Sequence, residues 1–463
     1  MGTELRGGAV TFLTMVYIVV LNPLIMGFTK DSTGHYLGGG TAPNPAAIAV
    51  ATAVVAGVMS ILMGAIANYP LALATGLGLN AFVTYNVATT MTWADAMGLI
   101  VVEGLVMLVL VLSGFRPAVF AAVPLELKKA ISAGIGLFIA FIGLYDSGFS
   151  RAGAGTPVQL GVDGMLRGWP TLVFIVGLLA IAAMLVRKIK GGILFGILGA
   201  TVLAVVIEAI GNIGGQTDAT GKVVNPSGWS LNVPKLPHSV VSKPDFGSMF
   251  HVSFGAFSDV GVLTSVVIIF TMLLSNFFDT MGTMTAIGAE AGLLDKDGTP
   301  PNTRAILAVD SLAGSAGGLG GVSSATAYIE SASGVGEGAR TGLAPMVTGV
   351  LFLLVTFLSP LARVVPYEAA TPALVIVGFL MMQQAGDINW KNLEISIPAF
   401  LTIIMMPFTY SISVGVGAGF VAFTVIKLVL GKGKQVHPLM WVVSIAFVAY
   451  FALAPLESWL GIS

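Results

Sequence analysis

The sequence has no cysteine and very few charged residues, and each absence excludes a class of protein. Without cysteine, disulfides and thiolate metal sites are impossible. The four histidines lie scattered in polar connections, so we predict neither a metal site nor a cofactor: His35, His238, His251 and His437. Charged residues form only 9% of the chain, against about 25% in soluble domains. The chain is therefore not a soluble globular protein.

Hydrophobic residues are abundant instead, at 56% of 463 residues with a mean hydropathy of +0.94. A membrane-spanning helix needs about 20 mainly apolar residues, and runs such as 193–210 and 439–453 recur along the chain. The first run, 9–28, has no clear cleavage site and is interpreted as a helix rather than a signal peptide. The net charge of −1 does not indicate a nucleic-acid partner. We predict one multi-pass domain embedded in a lipid bilayer.

Proline, glycine and charged clusters divide the apolar sequence into two series of seven segments. The first series is 9–28, 46–67, 70–88, 97–114, 127–146, 170–187 and 192–211, and the second is 261–284, 303–318, 320–337, 341–358, 367–384, 394–411 and 412–430. The polar stretch 212–258 between them is predicted to be an extracellular or periplasmic loop. A last run, 438–459, leaves fourteen or fifteen crossings open.

The distribution of lysine and arginine predicts the orientation of these segments. A cytoplasmic N-terminus places most basic residues on the cytoplasmic side, as the positive-inside rule requires. With seven segments in each half, the second half begins on the opposite side from the first. The sequence therefore predicts an all-α transporter with a 7+7 inverted repeat, a common plan for secondary transporters.

The third segment of each half is a poor continuous helix, because both are rich in glycine, proline and small hydroxyl residues. These stretches are 69–80 and 317–326. Interrupted backbone at membrane depth persists only where it is buried or lines a polar cavity, and matching interruptions in two halves indicate a binding site. Asn80 and Thr326 lie near the expected half-helix ends and are candidate ligand contacts. Close helix packing through the glycines is the alternative interpretation.

Two acidic residues, Asp279 and Glu330, lie inside apolar segments next to these stretches. A carboxylate at the centre of the bilayer costs about 2.5–3.5 kcal/mol, so it is usually retained for a ligand, a proton relay or an ion pathway. Asn276 and Thr280 share the helical face of Asp279. We predict that Asp279 and Glu330 take part in proton coupling. A scaffold role as capping or paired carboxylates is the alternative.

Other acidic residues are expected to have structural roles. Glu103 and Glu208 are placed near predicted helix ends, and Asp310 in a helix of small residues. An integral-membrane enzyme is disfavoured, since the sequence shows no metal cluster or nucleophile with a base. We predict no catalytic residue and no enzymatic activity.

Four motifs in order resemble the AzgA-like purine permeases of the nucleobase–cation symporter-2 superfamily. They lie at 11–23, 67–82, 278–283 and 328–342, and the similarity spans nearly the whole chain. The resemblance implies proton-coupled import of adenine, guanine or hypoxanthine across the cytoplasmic membrane, and short antiparallel strands in segments 3 and 10. It also implies a core subdomain, about 9–114 and 261–358, that moves against a gate subdomain, about 127–211 and 367–460. A homodimer is plausible for such a fold.

The resemblance also suggests site residues. Glu330 and Asn80 look like substrate contacts, and Asp279 looks like the second acid of an Asp-x-x-Asp pattern whose first position is Asn276 here. An amide carries no proton but still donates and accepts hydrogen bonds. Candidate rings for stacking on the base are Phe277, Phe278, Phe82 and Tyr328. Uracil or xanthine transport, and uncoupled facilitated diffusion, are alternatives. An anion exchanger is less favoured, because neither broken stretch contains lysine or arginine.

Overall fold

A computed structural model describes residues 1–113, 123–153, 155–217, 223–236, 239–296 and 299–460, without the side chains of Phe278 and 453–460. The first half contains α1 (Gly2–Met15), α2 (Ile18–Met26), α3 (Pro45–Leu62), α4 (Leu77–Phe82), α5 (Trp93–Leu112), α6 (Leu125–Asp146), α7 (Trp169–Val186) and α8 (Gly192–Gly211). The second half contains α9 (Ala256–Asp259), α10 (Val262–Ala291), α11 (Thr303–Gly320), α12 (Ser331–Gly336), α13 (Leu343–Val355), α14 (Tyr367–Met382), α15 (Leu393–Thr409), α16 (Ile412–Val429) and α17 (Pro438–Leu460).

Ten helices among the described residues are long and apolar enough to cross a membrane. The remaining predicted segments are the two broken stretches, the glycine-rich α11 and the shorter α15. The first segment is helical from Gly2 rather than from residue 9. Its polar start is held by the Glu4 carboxylate, which accepts hydrogen bonds from the Arg340 and Thr341 backbone N–H groups. The chain is a multi-pass membrane protein, as predicted.

Both broken segments contain a short strand, as predicted. Strands β1 (Leu73–Thr75) and β4 (Ala325–Ala327) pair antiparallel, with Ala74 opposite Thr326. The pairing satisfies backbone groups that an interrupted helix leaves free inside a membrane. α4 follows β1 and continues through a π-helical turn, Val83–Val87, whereas β4 leads into the single short helix α12. The two halves of the chain therefore meet at the centre of the molecule.

Close helix packing surrounds this centre. α5 packs on α11, and α3 packs on α13, while α6 packs on α14 and α15. Gly64, in the π-helical turn Met63–Ala67 that follows α3, and Gly342, just before α13, cross so closely that a Cβ on either would overlap the carbonyl oxygen of the other. Glycine at both positions lets the two backbones touch. The crossing fixes the position of α3, whose Ser60 hydroxyl bonds the backbone of β1.

The polar stretch between the halves folds onto the helix ends, and a second small sheet, β2 (Ser150–Arg151) with β3 (Gln159–Leu160), lies before it. Trp229 is buried and donates its indole N–H to Glu208 Oε2 at 2.8 Å. The Ser230 hydroxyl donates to Glu368 Oε1 at 2.7 Å, at the start of α14. These bonds attach the stretch to α8 and α14.

Candidate functional site

A row of polar side chains follows one face of α10 opposite the broken tenth segment. Asn276 and Thr280 are one turn apart and both are fully buried. Asp279 lies between them in sequence and is half-buried. The polar face of α10 predicted from the sequence therefore meets β4 and the residues that precede it.

The first cluster joins α10 to α5 through Glu103. Asn276 Nδ2 donates to Glu103 Oε1 at 3.2 Å and to Ser324 Oγ at 3.1 Å. Ser324 in turn donates to Glu103 Oε2 at 3.0 Å. All three residues are fully buried. Each oxygen of the Glu103 carboxylate thus accepts one hydrogen bond, while Asn276 Oδ1 has no partner among the described residues.

The second cluster joins α10 to α11 and β4 through Asp310. Thr280 Oγ1 lies 2.8 Å from Asp310 Oδ2 and 2.9 Å from Thr326 Oγ1. Asp310 is fully buried, and its Oδ1 atom has no hydrogen-bond partner among the described residues. Thr326, one of the predicted contacts, is also buried. The tenth segment is therefore bounded by two buried carboxylates, one from α5 and one from α11.

Glu330 lies after β4, at the N-cap of α12, and is half-buried. The Tyr17 hydroxyl, from the break between α1 and α2, donates to Glu330 Oε1 at 2.6 Å. Asp279 lies close enough to Glu330 for the two carboxylates to repel each other. None of the ion pairs formed by described basic side chains involves either acid. The two predicted acids are thus half-buried acceptors beside the two buried clusters.

Asn80 belongs to a separate buried network on the third segment. Its Nδ2 atom donates to Asn22 Oδ1 at 2.6 Å and to Thr75 Oγ1 at 3.2 Å. Asn22 donates to Thr52 Oγ1 at 2.9 Å. All four side chains are fully buried. In this conformation Asn80 connects α4 to α2 and α3 rather than facing an open space.

The candidate aromatic contacts are dispersed. Phe277 packs with Met107 and Leu273 in a small apolar cluster. Tyr328 is buried and donates its hydroxyl to the Thr75 carbonyl at 2.7 Å. Phe82 lines a cavity of about 260 Å³. This cavity is not lined by the other predicted site residues, Glu330, Asn80, Asn276, Asp279, Thr326 and Phe277. The Phe278 side chain lies outside the described part of the chain.

Four residues at the centre were not among the predicted contacts: Tyr17, Glu103, Asp310 and Ser324. The placement of Glu103 near a helix end was wrong, because α5 begins at Trp93 and Glu103 lies near its middle. Starting α5 at the Thr92 N-cap, whose hydroxyl accepts the Asp95 N–H, would have identified Glu103 as a mid-membrane acid. The contact between Glu103 and Ser324 joins residues 221 positions apart, and no local pattern indicates it.

Sequence comparisons identify the family. The profile Xan_ur_permease, described as a permease family, matches residues 2–416. The guanine/hypoxanthine permease PbuG of Bacillus subtilis (strain 168) is 38% identical over 453 residues, which cover 97% of this chain and 96% of that protein. The adenine permease AdeP of Escherichia coli (strain K12) is 37% identical over 448 residues, covering 96% and 92%. The resemblance to nucleobase permeases seen in the motifs is confirmed.

Structural comparison identifies the fold. The transmembrane domain of the cyanobacterial bicarbonate transporter BicA superposes with a TM-score of 0.61 at 16% identity, covering 90% of this chain and 96% of that one. Murine Slc26a9, an anion transporter, gives 0.62 at 12% identity, covering 93% and 69%. At such low identity these neighbours show the architecture alone, and they confirm the predicted 7+7 fold with broken third and tenth segments. This chain belongs to the Xan_ur_permease family of permeases.

Proposed function

We propose that the chain imports purine nucleobases by proton symport across the cytoplasmic membrane. The named relatives are permeases for guanine, hypoxanthine or adenine and match the chain over nearly its full length. The observation that carries the proposal is the cluster of four acids around the paired broken segments: Glu103, Asp279, Asp310 and Glu330. A purine offers ring N–H and amino donors, which suit such acceptors.

Glu330 and Asp279 are the proposed contacts for base and proton. Glu330 is half-buried and uses Oε1 to accept the Tyr17 hydroxyl. Its other carboxylate oxygen, Oε2, is the proposed acceptor for an N–H of the base. Asp279, whose charge interacts with that of Glu330, is the proposed proton acceptor, and its protonation favours the loaded carrier. The core then moves against the gate and releases both ligands inside.

Competition of radiolabelled hypoxanthine uptake in cells tests the proposal. Unlabelled adenine, guanine and hypoxanthine are expected to compete, and collapse of the proton gradient is expected to abolish accumulation. Competition by uracil or xanthine alone would replace the assignment to adenine, guanine and hypoxanthine. Uptake that reaches the same level without a gradient would instead identify a facilitator.

A further inference from the structure

In the first cluster, which joins α10 to α5, Glu103 sets the orientation of the Asn276 side-chain amide. Asn276 is fully buried and directs Nδ2 at Glu103 Oε1 and Ser324 Oγ. A carboxylate only accepts hydrogen bonds, whereas an amide has one end that donates and one that accepts. An ionised Glu103 therefore obliges Asn276 to turn Nδ2 towards it, and Oδ1 away.

The Asn276 Oδ1 atom that results is buried without a hydrogen-bond partner in the described structure. A buried acceptor with no donor is destabilising, and a ligand that supplies the donor recovers that loss. Asp279, three residues further along the same polar face of α10, is half-buried. Asn276 Oδ1 can therefore bind an N–H group of a ligand but not a ring nitrogen that carries a lone pair.

We infer that Glu103 is a positioning residue that fixes Asn276 Oδ1 as an acceptor for the N1–H of an oxopurine. Guanine and hypoxanthine carry hydrogen on N1, whereas adenine has a lone pair there. With Oδ1 fixed, adenine places two acceptors against each other. This inference rests on the proposed purine transport and narrows its substrates to oxopurines in preference to adenine.

α11 packs closely against the partners of the Asn276 amide. A Cβ on Gly314 of α11 would lie 3.0 Å from Ser324 Oγ and 3.1 Å from Glu103 Oε2. Glycine at this position lets α11 pack directly against the two side chains. The only other charged group that interacts with this cluster in the described residues is Asp310 on α11, also an acid. None of the ion pairs among the described residues involves Glu103.

The inhibition constants of hypoxanthine and adenine, measured by competition in cells, test the inference. The wild type is expected to bind hypoxanthine at least about tenfold more tightly than adenine, as the loss of one buried hydrogen bond implies. In Glu103→Gln the new side-chain amide can donate to Asn276 or accept from it, so the orientation of Asn276 is no longer fixed. The ratio of the adenine inhibition constant to the hypoxanthine inhibition constant should therefore fall towards one. The double variant Glu103→Gln with Asn276→Asp reverses donor and acceptor across the pair and should restore the ratio. Glu103→Asp should preserve it.

Asp95→Asn is the matched control, since it neutralises the other buried acid of α5, at the far end of the helix. It should keep the wild-type ratio. An unchanged ratio in Glu103→Gln would overturn the inference, as would adenine binding as tightly as hypoxanthine in the wild type, a result that needs no variant to fold. Either of these two results would leave the proposed purine transport unaffected. No purine uptake by the wild type would refute the proposed function instead.

Discussion

At the scale of single residues, the site combines buried acids with few donors. Glu103 and Asp310 receive hydrogen bonds from serine, threonine and asparagine side chains rather than from cations. Burial of an unpaired charge is costly, so such residues are retained for function more than for stability. Glu330 differs in that it is half-buried and accepts a hydrogen bond from the Tyr17 hydroxyl.

Tyr17→Phe tests the importance of that donor. The hydroxyl bonds Glu330 at 2.6 Å, and a hydrogen bond to a charged group contributes about 1.5–3 kcal/mol. We expect the KM for the base to rise roughly tenfold, with little change in the maximal rate. Tyr36→Phe, in the loop between α2 and α3, is the control. Equal KM values for the two variants would show that Tyr17 does not orient Glu330.

At the scale of elements, the broken segments were predictable and their partners were not. Glycine, proline and hydroxyl residues at 69–80 and 317–326 indicated interruption, and β1 and β4 occur there. Asn80 lies in the short helix α4 that follows β1, as expected, but the sequence did not indicate its hydrogen bonds to Asn22 and Thr75. Sequence spacing defines a helical face but not which distant helix covers it.

The close crossing of Gly64 and Gly342 gives a stability prediction. Alanine at Gly342 would meet the Gly64 carbonyl, and overpacking of this kind costs about 1–3 kcal/mol. Gly342→Ala should lower the unfolding temperature of the detergent-purified protein. Gly199→Ala in α8 is the control, because its Cβ would have no neighbouring atom within 4 Å. Equal unfolding temperatures would contradict the described packing.

Tyr85, in the π-helical turn after α4, bonds residues of α6 and α14. Its hydroxyl lies 3.0 Å from Asp146 Oδ2 and 3.0 Å from the Tyr367 hydroxyl, which also donates to Asp146 Oδ2. These bonds connect the predicted core to the predicted gate. We expect the bonds of Tyr85 and Tyr367 to Asp146 to break when the core and the gate separate at this contact.

Tyr367→Phe should therefore favour opening by about fivefold, the effect of roughly 1 kcal/mol. Thr90 lines the cavity that Phe82 also lines. A Thr90→Cys variant should therefore react faster with an impermeant maleimide when this contact is open more often. The chain has no native cysteine to interfere. Tyr36→Phe in the same Thr90→Cys background should leave the rate unchanged. A Tyr367→Phe rate equal to that of the background would argue against a closing role.

At the scale of the whole molecule, composition and the two series of seven segments were enough to predict the fold, because spanning helices must be long and apolar. The orientation remains a prediction. With a cytoplasmic N-terminus, a cysteine at Lys243 in the central polar stretch should react with impermeant maleimide in intact cells. A cysteine at the exposed Lys188, between α7 and α8, should react only after permeabilisation. The reverse pattern would invert the topology and make the proposed direction of import wrong.

Glu330 is the proposed contact for the base between the two broken segments, and it is central to the proposed purine import. Equilibrium binding of radiolabelled hypoxanthine to purified protein tests this directly, with Glu290→Gln, an exposed acid at the end of α10, as control. Glu330→Gln should weaken binding by at least about tenfold, since a charge-assisted hydrogen bond is lost, while the control binds as the wild type does. Wild-type affinity in Glu330→Gln would contradict the assigned site.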